Sequence, residues 1–311
     1  MNYILLVAGF IFLLYGGKLL VKSGVALAER FRISPLVVGL TVVSFGTSAP
    51  ELFVSVMAGI QGHPDVAIGN VIGSNIANIT LVLALTAIVI PIPVRSSSVK
   101  IDAPFMILVS FLLWLFVFNL HLSRLEGMLF LLLIAIYGTA IFHWSRKKNS
   151  ARSNQEQGVQ LSVGKVILLF VLAVLGLVAG SELLVRSASS IALELGLGER
   201  VIAVTMVAFG TSLPELVTSL VAAFKKEMDI SIGNIIGSNI FNILVVLGIA
   251  SVVNPLEIDK GFLHQDIFWM LGTSTALFFF ILPFKGGKLT RWKGVVLFCT
   301  YCIYVYILYF R

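Results

Sequence analysis

Charge is scarce in this chain. Of its 311 residues only 12% are Asp, Glu, Lys or Arg, against 58% hydrophobic. A soluble domain carries about 25% charged residues, so that class is excluded. Apolar runs recur over the whole length, as at Ile4 to Leu14, Phe105 to Phe118, Met128 to Ile136, Val166 to Val178 and Val295 to Phe310. Many reach or approach the ~20 residues a helix needs to cross a bilayer. The class read from this is an all-α polytopic membrane protein. In that setting the net charge of +7 reports orientation rather than affinity for nucleic acid.

Other shortages narrow the chemistry. There are two cysteines, Cys299 and Cys302, in a C-x-x-C inside an aromatic apolar run with no His or basic neighbour. A redox or metal motif needs a different setting, so both read as ordinary membrane-helix residues. The four histidines (His63, His121, His143 and His264) fall at span ends. No basic region precedes the first apolar run, which is therefore expected to be a transmembrane helix and not a signal peptide.

Gly, Pro and charge clusters divide the chain into ten expected spans, at 3–28, 34–60, 66–90, 102–119, 125–144, 162–192, 199–224, 230–252, 264–283 and 292–310. The stretch SRKKNSARSNQEQG, 145–158, is the one that reads as a soluble linker. It separates five spans in 1–144 from five in 162–311, with 145–161 as the connection. Alternate loops hold Arg30, Arg32, Arg95, Lys100, Arg146, Lys147, Lys148, Arg152, Lys165, Lys225, Lys226, Lys285, Lys288, Arg291 and Lys293. The other side holds only Arg124, Arg200, Lys260 and Arg311. The positive-inside rule then places the first group in the cytoplasm and both termini on the extracellular or periplasmic side.

Shifted by 164 residues, the chain matches itself. FGTSAPE at 45–51 meets FGTSLPE at 209–215, and GNVIGSNIANI at 69–79 meets GNIIGSNIFNI at 233–243. Residues 41–85 and 205–249 are identical at 24 of 45 positions without a gap. Shared apolar composition cannot supply Gly, Ser, Asn, Pro and Glu in the same order, so this is an internal duplication. Five spans per half put the two copies upside down relative to each other. Inverted repeats with interrupted helices are the plan of secondary transporters, whose binding site lies near the midplane at the repeat interface.

Each copy keeps one glutamate among apolar neighbours, Glu51 and Glu215. A carboxylate in such a place costs at least ~2.5–3.5 kcal/mol. No Lys or Arg lies deep in spans two, three, seven or eight to offset it, which leaves a cation as the partner. Pro50 and Pro214 lack N–H groups, which frees the carbonyls of Gly46 and Gly210. Thr47, Ser48, Thr211 and Ser212 add hydroxyls, and Thr47 and Ser48 would share a face with Glu51 if helical geometry persists. Ser74 with Asn78, and Ser238 with Asn242, stand four apart on one face each. An inventory of carboxylate, hydroxyl, amide and carbonyl oxygen, without sulfur or imidazole, selects hard cations such as Ca²⁺. Two ionised glutamates balance one Ca²⁺ or two Na⁺, and a third Na⁺ would have only neutral oxygens. Asp65, Asp102 and Asp229 read as helix N-caps.

These motifs resemble the cation/calcium exchangers, and within them the sodium/calcium exchangers, over essentially the whole chain. Their two alpha repeats carry G-[ST]-S-x-P-E and G-N-x-x-G-S-N-x-x-N, as here at 46–51 with 69–78 and at 210–215 with 233–242. The resemblance implies a core of spans two, three, seven and eight, with spans one and six sliding past it as a gate. It implies that Glu51 and Glu215 ligate Ca²⁺ and also Na⁺. Thr47, Ser48, Thr211, Ser212, Ser74 and Ser238 would complete the Na⁺ sites, and the carbonyls of Thr47 and Thr211 would join Ca²⁺. Carbonyls of Ser44 and Ala208 would serve outer Na⁺ sites, with Asn78 and Asn242 central. Asn242, where potassium-dependent members carry Asp, leans away from potassium dependence. Ser74 and Ser238, near which the proton-coupled branch usually has Glu, favour sodium.

The expectation is a Na⁺/Ca²⁺ antiporter of the cell membrane, electrogenic, with no cofactor, no catalytic residue and the bilayer and its transported ions as partners. The rivals are Ca²⁺/H⁺ or mixed cation/H⁺ antiport and, from other classes, a cation channel or an intramembrane hydrolase using Ser48 or Thr47 with Glu51. The last lacks a buried His or Lys base and leaves the duplication unexplained.

Overall fold

The computed structural model describes residues 2–150, 161–194, 210–282 and 287–309. Most of the expected linker, the beginning of the seventh span and Ala208 lie outside the described residues.

Among the described residues the elements long and apolar enough to cross lipid are helices, which satisfy their own backbone. The helices are α1 (Asn2–Phe31), α2 (Pro35–Thr47), α3 (Ala49–Ile60), α4 (Pro64–Val89), α5 (Ser98–Asn119) and α6 (Arg124–Ser150). They continue with α7 (Val163–Glu194), α8 (Leu213–Phe224), α9 (Met228–Val253), α10 (Ile267–Ile281) and α11 (Arg291–Tyr309). Among the described residues seven helices are long and apolar enough to cross a membrane, and eight if α2 and α3 count as one bent span. Large apolar side chains such as Ile4, Phe53, Leu175 and Phe279 are exposed on the outer helices, as a lipid-facing surface requires.

The helices are not equivalent. In α4 and α9, 83% of the most apolar window is buried, against 17–39% in the other long apolar helices. These two therefore form the centre. The backbone there departs from α geometry at positions 164 apart. Asn78–Leu83 in α4 and Asn242–Leu247 in α9 are π-helical, and so are Ser98–Asp102 in α5 and Phe262–Asp266 just before α10. Such wide turns leave backbone carbonyls imperfectly paired and concentrate at functional positions. The sequence duplication is thus present in the backbone as well.

Proline acts as expected, with one refinement. The helix stops at Ser48 (φ −85°, ψ 13°), and α3 restarts with Pro50 in its first turn, 50° off the axis of α2. Ser212 (φ −84°, ψ 1°) holds the same place before Pro214 in α8.

α1 and α7 pack along their length. A Cβ at Gly9 would stand 2.9 Å from the carbonyl of Gly180, and one at Gly180 would stand 2.8 Å from the amide of Leu13. The two backbones touch only because both positions are glycine. Among the described residues two short antiparallel ribbons tie loops together. β1 (Ile92–Pro93) pairs with β4 (Lys288–Leu289), and β2 (His121–Leu122) pairs with β3 (Leu256–Glu257).

The capping readings are corrected. His63 occupies the N-cap before Pro64, and exposed Asp65 lies in the first turn with no cap bond. Glu227 precedes α9, while Asp229 forms an ion pair with Arg95. Asp102 is buried within a π turn and accepts the Tyr137 hydroxyl at 3.0 Å. An acidic residue near a helix start is a cap only when the chain bends to face its own amides. Here tertiary partners take two of the three carboxylates instead.

Candidate functional site

The break at Ser48 decides the local geometry. Thr47 and Ser48 do not stack on Glu51's face as a continuous helix would have them, because the chain turns between them. They point across to the second copy. Ser48 Oγ donates to Glu215 Oε1 at 3.0 Å. Thr47 Oγ1 donates to Asn234 Oδ1 at 2.9 Å and lies 3.3 Å from Ser238 Oγ. Ser238 Oγ in turn donates to Glu215 Oε1 at 3.4 Å.

The second copy answers in part. Ser74 Oγ lies 3.3 Å from Thr211 Oγ1, the counterpart of the Thr47–Ser238 contact. Ser212, the mate of Ser48, has a buried hydroxyl with no partner among the described residues. Both oxygens of Glu51 and Oε2 of Glu215 are likewise buried without a hydrogen-bond donor among the described residues. So are the amide oxygens of Asn78 and Asn242. All eleven described candidates, Ser44, Thr47, Ser48, Glu51, Ser74, Asn78, Thr211, Ser212, Glu215, Ser238 and Asn242, are buried. The electrostatics follow from that list. Two carboxylates sit out of water with neutral hydroxyl and amide neighbours, and the described ion pairs, Arg95–Asp229 and Arg186–Glu182, involve neither of them.

Backbone carbonyls behave unequally. The carbonyl of Gly210, freed by Pro214, accepts the hydroxyl of Ser181 on α7 at 2.6 Å. The position equivalent to Ser181 in the first copy is Gly17, so Gly46 has no matching hydroxyl. Ser44's carbonyl already accepts from the Ser48 amide at 2.9 Å and lies 3.3 Å from Thr47 Oγ1. Its hydroxyl bridges the carbonyls of Gly39 and Asn234, at 2.7 and 3.0 Å.

Four asparagines outside the expected set hold this arrangement. Asn75 and Asn239 donate to each other's backbone carbonyl, both at 3.2 Å. Their amide oxygens accept from Asn242 and Asn78, both at 3.1 Å. Asn75 and Asn239 thus join Asn78 and Asn242 in one network across α4 and α9, with a two-fold pattern. Asn70 and Asn234 donate to Ser55 and Ser219, at 2.9 and 3.0 Å, and Asn70 also donates to the carbonyl of Glu51 at 3.2 Å. All four lie in the duplicated motifs at an offset of 164, the signal by which the sequence marks them.

What the arrangement can do is bind a hard cation. Carboxylate, hydroxyl and amide oxygens from both copies converge, with spare lone pairs and, among the described residues, no ion pair to either glutamate. Among the described residues no group of three or more His, Cys, Asp or Glu gathers anywhere as a metal cage. A cation here would rely on two carboxylates and neutral oxygens, a donor set suited to Ca²⁺ or Na⁺ and not to transition metals.

Comparison with known proteins agrees with the geometry. The family model described as sodium/calcium exchanger protein matches residues 1–142 and 165–310. CaxA of Alkalimonas amylolytica is 37% identical, over 98% of this chain and 98% of its own. The sodium/calcium exchanger MaX1 of Methanosarcina acetivorans is 33% identical, over 99% of each. Among solved structures, the sodium-calcium exchanger NCX_Mj superposes with a TM-score of 0.81 at 33% identity, over 98% of this chain and 97% of that one.

Proposed function

The chain belongs to the sodium/calcium exchanger family, and from that membership and the geometry of its buried oxygens we propose that it is a secondary antiporter exchanging Na⁺ for Ca²⁺ by alternating access. The observation that carries this reading is the meeting of the two copies: Ser48 reaches Glu215, and Thr47 reaches Ser238, across 167 and 191 residues. One shared set of oxygens that both ions occupy in turn gives exchange without a separate coupling device.

Glu51 and Glu215 supply the charge. Thr47, Ser48, Ser74, Thr211, Ser212 and Ser238 supply hydroxyls, and the carbonyls of Thr47 and Thr211 join Ca²⁺. Asn78 and Asn242 stand at the centre, and Ser44 and Ala208 contribute carbonyls to outer Na⁺ positions. Two carboxylates balance one Ca²⁺ or two Na⁺, so a third Na⁺ makes the cycle electrogenic. The architecture is ten helices in two inverted sets of five, 1–144 and 162–311, joined by a cytoplasmic segment at 145–161. Both termini face outward across the cell membrane. The close α1–α7 glycine contact would hold these two helices together as one unit that slides past the α4–α9 core as the gate.

The test is flux in reconstituted vesicles. Calcium uptake should follow an outward Na⁺ gradient with the pH gradient collapsed. Uptake driven only by pH would replace this reading with Ca²⁺/H⁺ exchange. Failure of any gradient to drive Ca²⁺ uphill would replace it with a channel.

A further inference from the structure

A second buried carboxylate stands apart from the exchange site. Asp102, in the π turn that opens α5, is only 4% exposed. Its Oδ1 accepts the Tyr137 hydroxyl, but its Oδ2 has no donor among the described residues. Ser98, one turn earlier, is fully buried and its hydroxyl is also without a partner. Asp102 lines a cavity of about 290 Å³ whose polar wall is Ser34, Arg95, Ser96, Ser97 and Ser145. Arg95 is the obvious counter-charge, yet its guanidinium is paired with Asp229. Of the three charges Asp102, Arg95 and Asp229, the ion pair cancels two, and the Asp102 carboxylate remains beside the serines of the wall.

We infer that a monovalent hard cation, Na⁺ in the first instance, binds where this cavity meets the Asp102 carboxyl, held by Asp102 Oδ2 and by the Ser98 hydroxyl, which lies beside that carboxyl behind the cavity wall. The charge selects the valence. One carboxylate balances Na⁺, whereas Ca²⁺ would leave the site positive in a poorly hydrated place. Oxygen-only donors select a hard ion. The site also has a mechanical position. Ser34, on its wall, accepts the Val37 amide at 3.3 Å and so caps α2, the half-helix that ends at Thr47. The Ser34 amide donates to Ser145 Oγ at 2.8 Å, which fastens that cap to α6. An ion at Asp102 therefore braces the start of α2 against α5 and α6 and couples the Na⁺ level to the mobility of the half-helix.

The experiment is ²²Na⁺ equilibrium binding to the full-length purified protein carrying Glu51→Gln and Glu215→Gln, which silences the exchange site independently of whether the exchange reading holds. One Na⁺ per chain should remain. Adding Asp102→Asn should remove it. Should that variant fold poorly, Ser98→Ala on the same background should weaken Na⁺ binding about five-fold, the loss of one hydroxyl contact. Ca²⁺ at millimolar concentration should not displace the ion. Absence of residual Na⁺ binding, binding unchanged by Asp102→Asn or by Ser98→Ala, or displacement by Ca²⁺ would each overturn the proposal.

Discussion

Ser48 donates its hydroxyl to Glu215 at 3.0 Å, but Ser212, its mate in the second copy, makes no such bond to Glu51. Two nearly identical motifs therefore do not stand in identical states. The proposed alternating cycle, in which the two copies exchange roles, would produce this inequality. Removing a donor from a buried carboxylate costs about 1–3 kcal/mol. Ser48→Ala should lower the melting temperature of the ion-free protein in detergent, and Ser212→Ala should leave it nearly unchanged. Equal shifts would mean that the asymmetry has no energetic content.

Gly73 and Gly237 are repeat mates with opposite surroundings. A Cβ at Gly73 would meet nothing within 4 Å, whereas one at Gly237 would stand 2.6 Å from both Cα and O of Leu40. Backbone cannot yield as a side chain can. Gly237→Ala should cost about 1–3 kcal/mol through overpacking, and Gly73→Ala should stabilise its helix by roughly 0.5–1 kcal/mol. Thermal unfolding of the two variants checks the sign of each.

The Asn75–Asn239 pair pins α4 to α9 by two reciprocal bonds. Asn75→Leu keeps the approximate volume but strands the side-chain amide of Asn242 and takes one of two donors from the carbonyl of Asn239, which keeps the Asn242 backbone N–H. The stranded amide costs about 1–3 kcal/mol. The same substitution at Asn239 should cost a similar amount. Each side chain bonds the other's backbone carbonyl, which both variants keep, so the double variant should cost close to the sum. A double variant costing far less than the sum would contradict two separate bonds.

Glu227, outside the spanning segment of α9, has its pKa raised by burial and by its neighbours Asp229 and Glu29, partly offset by Lys225. A carboxyl whose folded pKa lies above its unfolded value destabilises the fold once pH passes the unfolded pKa, since the unfolded state ionises more easily. Glu227→Gln should therefore raise the melting temperature at pH 7.5. The gain should disappear as pH falls below about 4, the unfolded range for Glu. A gain independent of pH would point to packing instead.

How much was legible beforehand divides along physical lines. Identity at a fixed offset, together with proline, located both interruptions and both glutamates, because a missing amide and a buried charge act through the residue's own chemistry. Partners were not legible. Asn75 and Asn239 look like any helix asparagine until α4 and α9 are brought together. Likewise the spacing of Thr47, Ser48 and Glu51 assumed a continuous helix, and the turn at Ser48 sent two of the three to the other copy. Asp102 and Asp229 read as caps because a cap is a local inference, and distant Tyr137 and Arg95 outbid it. Ser181 on the Gly210 carbonyl was invisible for the same reason.

The account rests on two glutamates forming one cation site. Calcium titration of the purified protein by calorimetry, with and without Na⁺, addresses that directly. One Ca²⁺ per chain should bind, Na⁺ should displace it completely, and Glu51→Gln and Glu215→Gln should each abolish it while the protein elutes as the native species. Two independent Ca²⁺ sites, or near-normal binding in either single variant, would contradict the account.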